Sequence, residues 1–131
     1  MSGITDIQTL LKNMTPEFHG GQYVFCSVST VEGLDLKDII CFFKEEEAIT
    51  IIVARQTADR LGLAYPFIGA WITLTVHSSL QAVGLTAAFS NALAKEGISC
   101  NVIAGYYHDH IFVEYADAAK AMDVLRGLQD S

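Results

Sequence analysis

The chain has 131 residues, which is the size of one domain or of two half-domains that share a core. Hydrophobic residues make up 51% of it and charged residues 18%, so an intrinsically disordered chain is excluded. The net charge is −7, and both halves of the chain are acidic. Because nucleic acids and anionic membrane surfaces attract basic proteins, neither is expected as a partner. A small molecule or another protein is expected instead.

The first residues of the chain carry neither the basic start nor the apolar core of a secretory signal, so we expect a cytoplasmic location. The cysteines are Cys26, Cys41 and Cys100, which are widely spaced and lie in apolar runs. This arrangement favours buried free thiols over disulfides or a metal site.

Residues 61–94 contain no charged side chain, and this stretch is longer than a membrane helix needs. The polar run His77-Ser78-Ser79 interrupts it, and Trp71–Val76 alternates with a period of two. The pattern therefore predicts a buried strand, a polar loop and a buried helix rather than a membrane span.

The first half of the chain is predicted to form a short helix, a strand, a hairpin and a second short helix. The corresponding ranges are about 4–14, 23–28, 39–43 with 48–54, and 56–61. Gly62 is expected to end the second helix, since glycine adopts the left-handed conformation found at helix C-termini.

The second half shows a clearer pattern, in the order strand, helix, strand, strand, helix. The ranges are about 71–76, 84–96, 98–105, 111–115 and a last helix from about residue 117. These are five of the six elements of a ferredoxin-like βαββαβ unit, and one edge strand is missing. The first half repeats the order in a degenerate form, so the halves are expected to complete each other's sheets or to pair with a second copy.

Two segments resemble an ACT domain, namely HSSLQAVGLTAAF from His77 and GISCNVIAGYYHDH from Gly97. The whole chain resembles small stand-alone bacterial proteins of two ACT-type halves, which are similar to the regulatory region of aspartokinases. The resemblance implies an α+β fold of two ferredoxin-like halves with antiparallel sheets and helices on one face. Residues 1–65 would be a degenerate N-terminal ACT-like half and residues 66–131 a C-terminal ACT domain.

The same resemblance implies a non-catalytic regulatory module. Such a module would bind a small ligand, most simply an amino acid, at an interface between ACT domains. It would work without a cofactor, and a homodimer is expected. The implied site lies at the loop between the first strand and the first helix and along the second strand.

The residues at this site have chemistry that suits an amino acid. The backbone of Val83, Gly84 and Leu85 opens a helix, where unpaired N–H groups attract a carboxylate. The neighbouring polar and strand residues predicted to contact the ligand or its rim are His77, Ser78, Ser79, Asn101, Val102, Ile103, His108 and Asp109. The alternative is that the serines only cap the helix and Gly84 only permits close packing.

Two further functions remain open at this stage. A metal-dependent enzyme would use His108 and His110, whose spacing on a strand points both rings to one side, with Asp109 or His77 as a further ligand. If these residues form a hairpin turn instead, the two imidazoles diverge. The second alternative is a purely structural interaction module. A hydrolase using His77 and Ser79 is disfavoured, since no Gly-x-Ser-x-Gly motif occurs.

Overall fold

The computed structural model describes residues 6–76 and 83–130. The predicted site residues His77, Ser78 and Ser79 lie outside this part of the chain. The described helices are α1 (Ile7–Asn13), α2 (Arg55–Leu61), α3 (Leu85–Lys95) and α4 (Ala118–Gln129), with short 3-10 turns at Leu36–Asp38 and Tyr115–Asp117. The strands are β1 (Thr15–Phe18), β2 (Tyr23–Val28), β3 (Ile39–Lys44), β4 (Ile49–Ala54), β5 (Ile68–Thr75), β6 (Asn101–Ala104) and β7 (Asp109–Glu114).

The chain divides into two compact units. The central unit is Gly21–Gly69, and the terminal unit combines the residues up to Gly20 with those from Ala70 onward. The N-terminal residues belong to the terminal unit because α1 carries Leu10 and is followed by Met14, and both side chains are fully buried in the core of that unit.

The terminal unit has a sheet in the order β1-β5-β7-β6. Strand β1 is antiparallel to β5, with Thr15 opposite Thr75 and Phe18 opposite Ile72. The sequence pattern lacked one edge strand of the ferredoxin-like unit, and β1 supplies a fourth strand from the N-terminal side. Pro16 lies in this strand, which is tolerated because β1 has a single described neighbour.

The core of the terminal unit lies between the sheet and its helices. One face of β5 is fully buried through Ala70, Ile72 and Leu74, as the alternation of the sequence predicts. The helices contribute buried apolar side chains to the same cluster, including Leu10, Leu85, Phe89, Leu93, Ala121, Met122 and Leu125. The expected fold class, α+β with antiparallel strands and two ferredoxin-like halves, is confirmed.

The central unit contains β2, β3, β4, α2 and the first residues of β5. Strand β2 pairs antiparallel with β4 along its whole length, from Tyr23 opposite Ala54 to Val28 opposite Ile49. The connection from β2 to β3 contains only the 3-10 turn at Leu36–Asp38, where the terminal unit has an 11-residue helix. Helix α2 ends at Gly62 with φ of 71°, as predicted.

The structure corrects one expectation for the cysteines. All three are free, as predicted, but only Cys26 is buried, whereas Cys41 and Cys100 are partly exposed. Cys41 lies in β3, which is at one end of the strand order, and Cys100 lies in the segment directly before β6. Within residues 6–76 and 83–130, every helix is too short or too polar to cross a membrane.

Candidate ligand site

The N-terminus of α3 is the centre of the predicted site. Gly84 is the N-cap residue and has φ of 99° and ψ of −16°, a conformation that side chains of L-residues rarely tolerate. Its carbonyl accepts the first helical hydrogen bond, from Ala88 N at 2.9 Å. Within the described residues, no side chain caps α3, and its first turn carries no acidic residue. The first-turn N–H groups therefore create a positive potential that suits an anion.

The side chains around Gly84 limit how a ligand can approach. Leu85 is 3% exposed and packs in the core, so only its backbone is available, while Val83 is 84% exposed. A Cβ added at Gly84 would lie 3.4 Å from Cγ1 of Ile7, so α1 packs closely against Gly84 on that side.

The predicted residues on β6 point to different sides of the sheet. Asn101 lies opposite Phe112, and Ile103 lies opposite His110. Val102 packs against the core that also contains α3, so Asn101 and Ile103 face the other way. The Asn101 side chain donates from Nδ2 to the Phe112 carbonyl at 3.3 Å. Within one chain, the structure does not bring the Asn101 side chain to the same sheet face as α3.

His108 and Asp109 lie at a tight turn. Gly105 N donates to the His108 carbonyl at 2.9 Å, and β7 begins at the next residue. Nδ1 of His108 is buried and has no hydrogen-bond partner among the described residues. Burial raises the pKa of Asp109, and the nearby His108 lowers it in part. The His108 ring is thus in the turn while His110 is in the strand.

A cluster that the sequence analysis missed lies on the sheet face opposite the core of the terminal unit. The Thr73 hydroxyl is 2.6 Å from Nε2 of His19 and 2.9 Å from Nδ1 of His110. Trp71 donates from Nε1 to the same Nδ1 at 3.2 Å. These residues are distant in sequence, so no local motif marks them. The alternation on β5 predicts only that Trp71 and Thr73 lie on the same face of the sheet, and it does not identify their partners.

The proton positions in this cluster follow from the donor properties of each group. An indole N–H can only donate, so Nδ1 of His110 accepts and its proton is on Nε2. For all the contacts to be hydrogen bonds, the Thr73 hydroxyl donates to His110 and accepts from Nε2 of His19. Burial lowers the pKa of both imidazoles; His108 and His19 lower that of His110 further, and Glu17 raises that of His19 in part.

The positions of His108 and His110 can be compared with those that a metal-dependent enzyme would need. Nδ1 of His110 is engaged by Trp71 and Thr73, and His108 lies in the turn rather than beside His110 on the strand. In residues 6–76 and 83–130, no group of three or more His, Cys, Asp or Glu side chains is placed to hold a metal ion. The arrangement in the described chain therefore gives the metal-dependent enzyme no support.

Comparison with known proteins shows the class of this protein. Residues 2–70 match one family of ACT domains, and residues 68–127 match a second. The chain belongs to the ACT domain family, which comprises regulatory modules that bind small ligands. No curated protein matches the chain significantly.

Several solved structures are similar to this chain. A protein of unknown function from Vibrio cholerae, described as a possible transport protein, is 46% identical, with a TM-score of 0.85 over 98% of this chain and 99% of that one. The regulatory subunit of aspartate kinase from Thermus flavus is 9% identical, with a TM-score of 0.55 over 88% and 95% of the two chains. Aspartokinase III of E. coli, solved with aspartate and ADP, is 10% identical, with a TM-score of 0.62 over 91% of this chain and 35% of that one.

Proposed function

We propose that this protein is a non-catalytic regulatory module that binds an amino acid at the N-terminal turn of α3. The observation that carries the proposal is the start of α3 at Gly84, which no described side chain caps, in a chain that matches ACT domains along almost its whole length. The ligand carboxylate would accept hydrogen bonds from the backbone N–H groups of Leu85 and the residues after it. Within the described part of the chain, Val83 at this turn is 84% exposed.

The remaining predicted contacts favour a site shared between copies of the chain. Asn101 and Ile103 face away from α3 within one chain, so we infer that a second copy brings them, together with His108 and Asp109, to the ligand. His77, Ser78 and Ser79 complete the proposed set.

We also propose a contact between copies of the chain at β3, which is separate from the contact that would bring Asn101 to α3. This strand pairs only with β4 among the described strands, so its other edge has unpaired backbone groups. Its sequence is IICFFK, with Phe42 43% exposed and Phe43 68% exposed. An apolar edge strand without a protecting proline or central charge is suited to pairing with the same strand of a second copy.

Thermal unfolding in the presence of each common amino acid tests the proposed function. A ligand that binds only the folded state, present at about 100 times its Kd, adds about 2.7 kcal/mol to the free energy of unfolding. We expect one amino acid or a small related group to give such a shift. No shift with any amino acid would leave a structural interaction module as the better account.

A pair of asparagine variants locates the binding site. Asn101→Ala removes a proposed ligand contact and should weaken binding of the active amino acid. Asn13→Ala is the matched control, since Asn13 is also exposed and also donates from Nδ2 to a backbone carbonyl, that of Thr9 at 2.8 Å. Equal affinity of the two variants would contradict the assignment of Asn101.

A further inference from the structure

The central unit contains a pocket where its fold lacks a helix. The pocket has a volume of about 180 Å³ and lies between the 3-10 turn at Leu36–Asp38, the sheet and α2. Its apolar lining includes Ile39, Ile51 and Val53 from neighbouring strands and Leu61 from α2. In the terminal unit, the corresponding connection is the 11-residue helix α3. The apolar side chains of the lining that are at least partly exposed are Leu34, Ile39 and Leu61, whereas Ile51 and Val53 are buried.

The mouth of the pocket is charged. Asp35 and Asp38 line it from the turn, and Arg60 lines it from α2. Nη2 of Arg60 lies 3.3 Å from Oδ2 of Asp38, so this guanidinium is already paired with a carboxylate. The lining therefore carries one carboxylate more than it carries cations.

The surplus carboxylate is that of Asp35, which is fixed in place by the turn. Its Oδ1 accepts from Lys37 N at 3.0 Å, and its Oδ2 lies 3.6 Å from Nζ of Lys37. The Lys37 side chain is 86% exposed, so its attraction to Asp35 is weak and it does not line the pocket. Asp35 thus presents a negative charge at the mouth with a backbone hydrogen bond that holds its position.

We propose that this pocket binds a small aliphatic ammonium ion. The apolar group of the ligand would contact Leu34, Ile39 and Leu61, and its ammonium would lie beside Asp35 and Asp38. The volume suits a group of about six carbon atoms, since an apolar protein cavity of about 150 Å³ accommodates benzene. A ligand carboxylate at the same place would meet two like charges. The proposal does not depend on amino-acid binding at α3, because it uses residues of the central unit alone.

Amide chemical shifts of the full-length protein test this site. Isopentylammonium is the probe, and isopentanol and 4-methylpentanoate are comparison ligands with a similar apolar group. We expect saturable shifts at Gly33, Thr57 and their neighbours with the ammonium ion, weaker binding of the alcohol and the weakest binding of the carboxylate. Shifts that do not saturate, or equal binding of all three compounds, would overturn the proposal.

A charge-neutral variant separates the role of Asp35 from that of overall charge. Asp35→Asn keeps an acceptor for Lys37 N and removes the negative charge, and it should weaken binding of the ammonium ion by about fivefold, as expected for a partly exposed charge pair. Asp123→Asn is the control. It removes the same charge from α4, and no residue of α4 lines the pocket. Equal losses in both variants would show only nonspecific attraction and would contradict the site.

Discussion

The imidazole of His19 lies flat on the indole of Trp71, with ring centroids 3.7 Å apart and an angle of 7° between the planes. The same imidazole is hydrogen-bonded to Thr73, whose hydroxyl also contacts His110. Thr73 is 5% exposed, so these interactions are largely shielded from water. The sheet face opposite the core is therefore held by a polar and aromatic cluster in which Nδ1 of His110 must be unprotonated to accept hydrogen bonds.

Protonation of this cluster should destabilise the protein. The pKa values of His19 and His110 are lowered from 6.5 by burial, so between 6.5 and the lowered values the unfolded chain binds protons that the folded chain does not. The free energy of unfolding should therefore fall as the pH falls below 6.5. Urea unfolding across this range measures the slope. The double variant His19→Gln with His110→Gln should lose most of it, and an unchanged slope would contradict the prediction.

At lower pH, Asp109 should have the opposite effect on the way folding stability changes with pH. Burial raises its pKa from 3.8, so the folded state binds a proton more readily than the unfolded chain does. Just above pH 3.8, its contribution should make the protein less stable as the pH rises. Asp109→Asn should remove this component in the same urea series. A variant that leaves the acidic part of the profile unchanged would exclude this role for Asp109.

The hydroxyl of Thr73 should be the essential group of the cluster. Thr73→Val keeps the shape but leaves ring nitrogens of His19 and His110 without this partner, which should cost about 1–3 kcal/mol. Thr73→Ser retains the hydroxyl and loses one methyl group, at a cost of about 0.8 kcal/mol. Urea unfolding of both variants measures whether the loss of the hydroxyl costs more stability than the loss of the methyl group. A valine variant as stable as the wild type would exclude the hydrogen-bond arrangement.

Cys100 should react slowly in the folded protein. Burial raises the pKa of its thiol to about 11, so only about one thiol in a thousand is ionised at about pH 8. Iodoacetamide labelling followed by mass spectrometry should show slow modification of Cys100 in the native protein and fast modification in urea. Similar rates in both states would contradict the raised pKa of this thiol.

Gly84 should tolerate alanine poorly. Its φ of 99° is strained for any residue with a Cβ, so Gly84→Ala should cost about 1–3 kcal/mol of folding stability. Gly127→Ala is the control, because Gly127 lies within α4 and a Cβ there meets no atom within 4 Å. That substitution should be neutral or stabilise by up to about 1 kcal/mol. Equal effects on the midpoint of urea unfolding would show that Gly84 is not conformationally constrained.

The proposed homodimer should depend on the exposed edge of β3. Phe43→Lys places a charge in the proposed interface and should raise the dimer Kd by about tenfold or more, since buried aromatic side chains carry much of the energy of such interfaces. Tyr115→Lys is the control, since Tyr115 is an aromatic residue with 40% exposure that lies outside β3 and outside the proposed ligand site. Sedimentation velocity over a concentration series compares the two. A dimer that survives Phe43→Lys unchanged would place the interface elsewhere.

The periodic elements could be predicted from the sequence because each depends on local patterns. The apolar spacing in α4 identified Ala121, Met122 and Leu125, which are buried, and Gly62 correctly marked the end of α2. Strand β1 was not predicted, because it has four residues and contains Pro16, and its pairing partner is β5. A short strand with a proline has no periodic signal, and only tertiary pairing reveals it.

The candidate site was less accessible to prediction for similar reasons. The start of α3 at Gly84 follows from local sequence, and the structure places it there. The contact of Gly84 with Ile7 and the side of the sheet that Asn101 faces depend on packing between distant segments. The cluster around Thr73 joins residues 54 and 37 positions away, so alternation on β5 could not identify its partners.

Isothermal titration calorimetry of the wild-type protein with each common amino acid tests the central claim most directly. The proposed regulatory module predicts a saturable isotherm for at least one amino acid, with a stoichiometry consistent with equivalent sites on the copies of the chain. Heats no larger than those of dilution for every amino acid, at protein and ligand concentrations that would detect a millimolar Kd, would contradict it.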